Sequence, residues 1–298
     1  MKKLRLKILI IICQFWAVMA YAQTENLRNQ LESFIKTKKA DIGVAILGIE
    51  SGDTLTIGNE KHYPMQSVYK FHLALAVLNQ VDKGKLSLSQ KIFITHLDLL
   101  PNTWSPLREK YPEANVEIPL SEILSYTISQ SDNNGCDILF RLVGGTKKVH
   151  KYIHKLGMKN VAIKGTEAEM HKDWQVQFTN WATPLSVVQL LHTFYSKNIL
   201  SKTSFDFLWK AMVETKTGPK RIKGLLPEGT IVAHKTGYSG ANKEGLTSAI
   251  NDVGIVQLPN GQHFAIAVFV SNTKENLDTT EGIIAEITNK TWNYFIKK

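Results

Sequence analysis

The spacing of apolar residues divides the chain into segments of different periodicity. Near the start, helical spacing joins Leu27, Leu31, Phe34 and Ile35. This pattern predicts an opening helix. An apolar run at 43–49, a polar turn at 51–53 and a second run at 54–57 then predict a β-hairpin.

The pattern changes at Ser67. Positions 71 and 73–78 are apolar, so the helix that they form has no polar face and is predicted to be buried. Helical patterns continue to about residue 213. The predicted helices are Leu120–Ser129, Asn134–Val143, Thr146–Leu156, Pro184–Tyr195 and Lys202–Val213. Between the third and the fourth, residues 165–181 are polar without clear periodicity, which is typical of a functional loop.

Strand patterns return towards the end of the chain. The predicted strands are Ile231–Lys235, Ser248–Leu258 and His263–Val270. Asn260-Gly261, between the last two runs, is a strong hairpin signal. A last amphipathic helix is predicted from about Thr280 to Phe295.

The order of these elements is helix, strands, helices, strands, helix. We therefore predict an α+β fold in which residues 23–64 and 214–298 form an antiparallel five-stranded sheet flanked by helices. Residues 65–213 are predicted to form an inserted all-helical domain. A functional site is expected in the cleft between the two parts.

The first 22 residues have the three parts of a secretory signal peptide. Basic residues precede an apolar run at 8–20, and Ala20-Tyr21-Ala22 is a small-x-small cleavage site before Gln23. The apolar run is short for a membrane span, so an uncleaved anchor is the less favoured alternative. The mature protein is expected to begin at Gln23, to be periplasmic and to have no membrane association.

Charge and cysteine content exclude some classes of function. The formal net charge is +10, and signal cleavage would remove four basic residues. The remaining lysines are scattered and do not form the clustered basic face of a nucleic-acid-binding protein, so no nucleic-acid partner is expected. Cleavage leaves Cys136 alone, and its apolar helical surroundings predict a buried, unreactive thiol.

Three short motifs carry candidate chemistry. In Ser67-Val68-Tyr69-Lys70, a helix would place serine and lysine on one face, where the lysine could accept the serine proton. Ser131-Asp132-Asn133 lies between two predicted helices, and Lys235-Thr236-Gly237 ends a predicted strand. Each motif alone has an ordinary structural explanation: a capping serine with a solvated lysine, a helix N-cap, and a strand end with a turn glycine.

Together and in this order, the motifs resemble the signature of class A β-lactamases and penicillin-binding proteins. The resemblance covers nearly the whole mature chain and looks closest to the PER/VEB-like branch of class A. The segments that carry it are Met65-Gln66-Ser67, Leu99-Leu100-Pro101, Trp104-Ser105-Pro106, Asn134-Gly135-Cys136-Asp137, Met170-His171 and Asn180-Trp181. It implies the β-lactamase/D,D-peptidase-like fold, and hydrolysis of the β-lactam amide bond through an acyl-enzyme on Ser67.

The resemblance also implies roles for individual residues. The catalytic set is Ser67, Lys70, Ser131 and Glu167. Glu167 matches the glutamate that activates the deacylating water, and Glu169 is the competing carboxylate. The substrate-binding set is Asn133, Lys235, Thr236, Tyr238, Arg221, Trp104 and His171. The implied partner is a small-molecule β-lactam, the implied state is a monomer, and no metal or organic cofactor is needed.

Two features depart from most class A sequences. Residues 165–181 resemble the family's Ω-loop, but Gly165 and Asn180 stand where an arginine and an aspartate usually tie the loop ends. We expect an untied loop, a roomier cleft and activity on bulky oxyimino-cephalosporins. Tyr238 stands where a small residue or threonine is usual, and its ring is expected either to narrow the cleft or to stack on the substrate.

Alternatives remain for the function and for one further pair of residues. A D,D-peptidase of the penicillin-binding class and a non-catalytic β-lactam sensor would share the three motifs, but both should lack an effective deacylating glutamate. Glu167 therefore favours the hydrolase. His150 and His154 have metal-ligand spacing on a predicted helix, but no third ligand accompanies them, so a surface pair is expected.

Overall fold

The computed structural model describes residues 22–298. The predicted signal peptide, residues 1–22, lies outside the described residues except for its last position, and its cleavage stays a prediction. Among residues 22–298, no helix combines the length and the apolar character that crossing a bilayer requires.

Strands and helices alternate in blocks along the chain. The strands are β1 (Asp41–Gly48), β2 (Thr54–Ile57), β3 (Tyr63–Pro64), β4 (Lys91–Ile94), β5 (Val116–Pro119), β6 (Val161–Ala162), β7 (Trp181–Ala182), β8 (Val232–Tyr238), β9 (Ile250–Gln257) and β10 (His263–Ser271). The helices are α1 (22–35), α2 (Tyr69–Asp82), α3 (Pro106–Lys110), α4 (Leu120–Ser129), α5 (Asn133–Val143), α6 (Thr146–Lys155), α7 (Glu167–Lys172), α8 (Pro184–Ser196), α9 (Lys202–Val213) and α10 (Leu277–Ile296).

The main sheet has five antiparallel strands in the order β2-β1-β10-β9-β8. It is made from the two ends of the chain, as the sequence predicts, and the α+β fold class is confirmed. The predicted bounds of its long strands agree with the structure within three residues at each end. Strand β8 is at the edge of the sheet, where its last residues remain accessible to a cleft.

Helices cover both faces of this sheet, which explains why β10 is buried along its whole length. Successive side chains of a strand point to opposite faces. Phe264 and Ile266 pack in a core with apolar residues of α1 and α10, whereas Ala265 and Ala267 pack in a second core with α2, α4, α5, α8 and α9. The near-continuous apolar character of the strand follows from this double coverage.

The prediction of an all-helical middle segment is wrong in detail. Residues 65–213 are mostly helical, but β4 pairs with β5, and β6 and β7 complete a small sheet with β3. These strands have two to four residues each, too few for a recognisable alternation of apolar and polar positions. The division of the chain into two domains stays a prediction.

Candidate active site

A cleft of about 430 Å³ lies between the end of β8 and the middle segment. Its lining residues are Gln66, Ser67, Thr103, Trp104, Ser131, Asn133, Glu167, Met170, His171, Thr217, Arg221, Thr236, Tyr238 and Ser239. Nine of the eleven predicted site residues are among them. The other two, Lys70 and Lys235, are fully buried behind the wall and donate hydrogen bonds to residues that line it. The fold thus brings the whole predicted set together.

Ser67 lies on a tight turn at the start of the buried helix. Residues Gln66–Val68 form a 3-10 turn, and the α-helix begins only at Tyr69, so the prediction that Ser67 opens the α-helix is corrected. Gln66 has a φ of 47°, a left-handed conformation that costs a non-glycine residue on the order of 1–2 kcal/mol. The turn must therefore be held by its surroundings. One such contact is the N–H of Met65, which donates to the carbonyl of Asn180 at 2.8 Å.

Lys70 is buried among oxygen atoms. Its Nζ donates to the carbonyl of Ser131 at 2.8 Å and to Oδ1 of Asn133 at 2.5 Å, and it lies 3.0 Å from Oε1 of Glu167. These oxygens offset the free-energy cost of burying an ammonium group. The predicted approach of Nζ to Ser67 Oγ is not among the hydrogen bonds of residues 22–298. Lys70 instead joins the loop of the second motif to Glu167.

Ser131 and Asp132 divide two tasks within the second motif. Asp132 is fully buried and caps α5, where its carboxylate accepts from the N–H of Gly135 at 2.7 Å. The same carboxylate accepts from Ser105 and from the N–H of Leu107. The ordinary N-cap explanation is therefore correct for Asp132. Ser131 lines the cleft and has a φ of 59°, an unfavourable conformation for a serine. The hydrogen bonds to the neighbouring Asp132 carboxylate hold the chain at this position.

Lys235 joins the third motif to the second. Its Nζ donates to Oγ of Ser131 at 2.8 Å and to the carbonyl of Thr236 at 3.0 Å. Burial, and next the nearby positive charge of Lys70, lower the pKa of Lys235 well below its usual value. A lysine whose ammonium form is weakened in this way is suited to share a proton with the Ser131 hydroxyl.

Glu167 begins the short helix α7, which is held at its first turn. Thr166 caps the helix and forms a capping box with Glu169, so the competing carboxylate is used in capping. Asp137 of α5 accepts from the N–H groups of Glu167 and Ala168, both at 2.8 Å. Burial, together with the negative charge of Glu167, raises the pKa of Asp137 to about 6. These contacts leave the Glu167 side chain facing the cleft and 11% exposed.

The ends of the loop at 165–181 are tied, so the prediction of an untied loop is wrong. Oδ1 of Asn180 accepts from the N–H of Lys164 at 2.7 Å and of Gly165 at 2.9 Å. Its Nδ2 donates to the carbonyl of Gly165 at 2.8 Å. Asn180 is fully buried. An amide bonded to backbone thus takes the place of the usual pair of charged side chains.

The end of the cleft near β8 is rich in hydrogen-bond donors. Arg221 is nearly buried, and its Nε donates to Oε1 of Glu281 at 2.9 Å. The hydroxyl oxygens of Thr217 and Thr236 lie 2.6 Å apart. Tyr238 is 46% exposed, and its ring centroid lies 5.9 Å from Cζ of Arg221. This end can bind an anionic group beside an aromatic ring.

Trp104 and Asn133 border the opposite side. Trp104 is 57% exposed and donates from Nε1 to the carbonyl of Gln130 at 2.8 Å, so its ring is available at the cleft and is not packed in a core. Asn133 donates from Nδ2 to Thr103 at 2.7 Å. His171 is exposed one turn after Glu167 on α7 and lines the cleft.

Known proteins share this arrangement of motifs. Residues 26–295 match the model of the β-lactamase enzyme family. The chain is 50% identical to β-lactamase VEB-1 of Pseudomonas aeruginosa, over 98% of each chain. It is 44% identical to extended-spectrum β-lactamase PER-1 of the same species, over 97% of this chain and 94% of that one. This chain belongs to the β-lactamase enzyme family. The crystal structure of the TLA-3 extended-spectrum β-lactamase superposes on it with a TM-score of 0.90 at 59% identity, covering 92% of this chain and 99% of that one.

Membership of the β-lactamase family confirms the resemblance that the three motifs indicate, including its PER/VEB-like character. The roles of single residues stay predictions. The sequence did not predict Thr217, which lines the cleft, or Asn251, which donates hydrogen bonds to the carbonyls of Pro64 and Met65 just before Ser67. Asn251 had a signal in the sequence, because Asn251-Asp252 is a polar pair inside an otherwise apolar strand. Thr217 had no such signal in the sequence, because its position beside Thr236 depends on the path of the segment after α9 relative to β8.

Two other sequence features have structural explanations in this β-lactamase. Nε2 of His154 lies 2.9 Å from the carbonyl of Val161, and the N–H of Ile163 approaches Nδ1 of His150 at 3.4 Å. The histidine pair therefore supports the chain around β6, and no cluster of potential metal ligands occurs within residues 22–298. Cys136 is buried, and burial raises the pKa of its thiol well above the usual value, which agrees with the predicted unreactive thiol.

Proposed function

We propose that this chain is a secreted serine β-lactamase that hydrolyses the β-lactam amide bond through an acyl-enzyme on Ser67, and so confers β-lactam resistance. One observation carries the proposal. Oε1 of Glu167 lies 3.0 Å from Nζ of Lys70 in the same cleft that Ser67 lines, so a carboxylate stands ready to activate water. A D,D-peptidase or a sensor would have no use for this carboxylate.

Acylation begins when Ser67 Oγ attacks the lactam carbonyl carbon. Lys70, or Glu167 through a water molecule, removes the hydroxyl proton. For the Lys70 route its ammonium must first pass a proton to Glu167, whose Oε1 lies 3.0 Å away. The N–H groups of Ser67 and Tyr238 stabilise the negative oxygen. Ser131 gives its proton to the ring nitrogen as the carbon–nitrogen bond breaks, and its bond from Lys235 supports this transfer.

Binding of the substrate uses both ends of the cleft. Lys235, Thr236 and Arg221 hold the substrate carboxylate, for which the donors clustered near β8 are suited. Asn133 hydrogen-bonds to the acylamino side chain. The exposed rings of Trp104 and Tyr238 border the bound molecule.

Deacylation uses Glu167 as the general base. It removes a proton from a water molecule, which attacks the ester carbonyl; the bond to Ser67 Oγ then breaks, the proton passes to that oxygen, and the opened product leaves. His171 lies on the same short helix and borders this water. The bonds that Asp137 accepts from the N–H groups of Glu167 and Ala168, together with the Thr166 cap, support the placement of Glu167.

We also propose that the substrates include oxyimino-cephalosporins. The support comes from two relatives, PER-1 and TLA-3, which are named extended-spectrum β-lactamases. The kcat/KM for an oxyimino-cephalosporin, compared with that for a simple penicillin, decides the point, and a ratio near zero would contradict it.

We further propose that the mature protein begins at Gln23 and is a periplasmic monomer. The three-part pattern of residues 1–22 supports export, and the resemblance to class A enzymes supports the monomer. Intact mass of protein recovered from a periplasmic fraction, and its size in solution, test both statements.

Turnover of a chromogenic cephalosporin by the purified mature protein tests the function itself. The hydrolase should convert many equivalents of substrate, and Ser67→Ala should convert none. A protein that stops after one equivalent would be a penicillin-binding enzyme or a sensor.

A further inference from the structure

Asn251 is a fully buried polar residue in strand β9, opposite Gly237 of β8. Its side chain leaves the sheet and reaches the chain before Ser67. Nδ2 donates to the carbonyl of Pro64 at 2.8 Å and to the carbonyl of Met65 at 3.1 Å. The opposite orientation of the amide would point Oδ1 at both carbonyls, so these contacts fix the amide as a donor.

The turn that Asn251 binds is the strained one. The carbonyl of Met65 accepts from the N–H of Val68 at 3.2 Å, which closes the 3-10 turn around Gln66 and Ser67. Gln66, with its φ of 47°, relaxes to a commoner conformation unless the turn is held. Asn251 holds it from the side of the sheet.

The same turn touches the end of β8. A Cβ atom on Gly237 would lie 2.5 Å from the Met65 carbonyl oxygen, so only glycine allows this approach. Tyr238 follows Gly237 directly. The oxyanion is proposed to be stabilised by the N–H groups of Ser67 and Tyr238, which lie on these two segments. The contact between Met65 and Gly237 therefore sets the distance between the two N–H groups.

We propose that Asn251 is a positioning residue for the oxyanion hole: by pairing with Gly237 through its backbone and binding Pro64 and Met65 through its side chain, it fixes the Ser67 N–H relative to the Tyr238 N–H. Arg221 strengthens the same junction, because its Nη1 donates to the carbonyls of Gly237 and Asn251, both at 3.1 Å. The inference rests on the proposed β-lactamase mechanism. It assigns Asn251 a task in acylation although this residue is absent from the lining of the cleft.

The test replaces Asn251 by leucine, which has a similar size and no donors. Losing one oxyanion donor outright costs an enzyme about 10²–10³ in rate, so misplacing one should lower kcat/KM about 10- to 100-fold. A boronic acid that adds to Ser67 Oγ places a boron-bound oxygen where the oxyanion forms, so its affinity should fall by the same factor. Binding of intact benzylpenicillin to the Ser67→Ala protein should change less than about twofold when Asn251→Leu is added, because the substitution keeps the side chains proposed to bind the substrate carboxylate and the backbone carbonyl that Arg221 binds.

The matched control is Val256→Ala, a fully buried position on the same strand that packs against the other face of the sheet. It should lower Tm while leaving kcat/KM and boronic acid affinity near wild type. The proposal is wrong if Asn251→Leu behaves like this control, or if penicillin binding weakens as much as kcat/KM. If Asn251→Leu does not fold, Asn251→Asp is tested in its place, because aspartate has the shape of asparagine but can donate at most one hydrogen bond. A wild-type kcat/KM in Asn251→Asp would overturn the proposal. A wild-type protein without turnover would instead refute the proposed function.

Discussion

On one side of the cleft, Thr236 and Tyr238 belong to β8, a strand that is paired with β9 over its whole length. On the other side, Glu167 and His171 belong to α7, a helix of six residues that contains no buried residue. The first side is positioned by the backbone hydrogen bonds between β8 and β9, in a sheet that has an apolar core on each face. The second is positioned by a few side-chain contacts from Asp137, Thr166 and Asn180. In the proposed mechanism, the strand side supplies an oxyanion donor and binds the substrate carboxylate, whereas deacylation depends on Glu167 of α7, the side that fewer contacts hold.

The largest expected effect comes from removing the buried cation on the strand side. Lys235→Met leaves the Ser131 hydroxyl without its donor and should lower kcat/KM about 10²–10⁴-fold, the range of general acid–base effects. The pKa of Lys235 is lowered, so its ammonium form is less stable in the folded protein than in the unfolded chain. Tm of the variant should therefore equal or exceed that of the wild type. Steady-state kinetics and thermal unfolding of the same samples test the expected fall in kcat/KM and the expected equal or higher Tm. A drop in Tm would show that Lys235 stabilises the fold.

A middle-sized effect is expected on the loop side. Asn180→Ala removes the three bonds that tie Lys164 and Gly165. It should slow deacylation about tenfold and acylation by less, because Glu167 is the proposed base of deacylation and only one of two candidate bases of acylation. Asn180→Asp is the comparison variant: it keeps both acceptor bonds but loses the donor bond and buries a charge beside the Gly165 carbonyl, so it should also slow deacylation. Pre-steady-state kinetics separate the two steps. Equal slowing of both steps in Asn180→Ala would mean that the two sides of the cleft are not independent.

The smallest effect on activity, and a distinct one on stability, is expected from His72. This residue of α2 is fully buried, and burial lowers its pKa to about 4 from the 6.5 of an ordinary histidine. Because the unfolded chain binds the proton more tightly, the free energy of unfolding should fall as pH drops from 6.5 to 4. His72→Leu removes this contribution, worth about 3 kcal/mol by the conversion of pKa shifts to free energy. Denaturant unfolding at pH 7 and pH 4 measures it, and an unchanged pH slope in the variant would contradict the assignment.

The sequence was sufficient for the larger features. Long amphipathic helices such as α4 and α9 have the predicted bounds, because their apolar faces repeat over several turns. The predicted site residues converge because motif spacing reflects the fold of the whole family. The sequence was insufficient where one buried polar contact decides the geometry. Nothing in the local sequence indicates that Asn180 forms hydrogen bonds with Gly165. Nor does it indicate that Ser67 lies on a 3-10 turn that residues of distant strands hold in a strained conformation.

The most direct test of the account is Glu167→Gln, which keeps the shape of the side chain and removes its basicity. Mixed with a cephalosporin and examined by intact mass, this variant should accumulate a stable acyl adduct on Ser67 while the wild type turns over without one. That result would show that Glu167 acts in deacylation and that the loop at 165–181 supplies the general base of this step. Full turnover by Glu167→Gln would contradict the central claim that this carboxylate distinguishes a hydrolase from an enzyme that stops at the acyl stage.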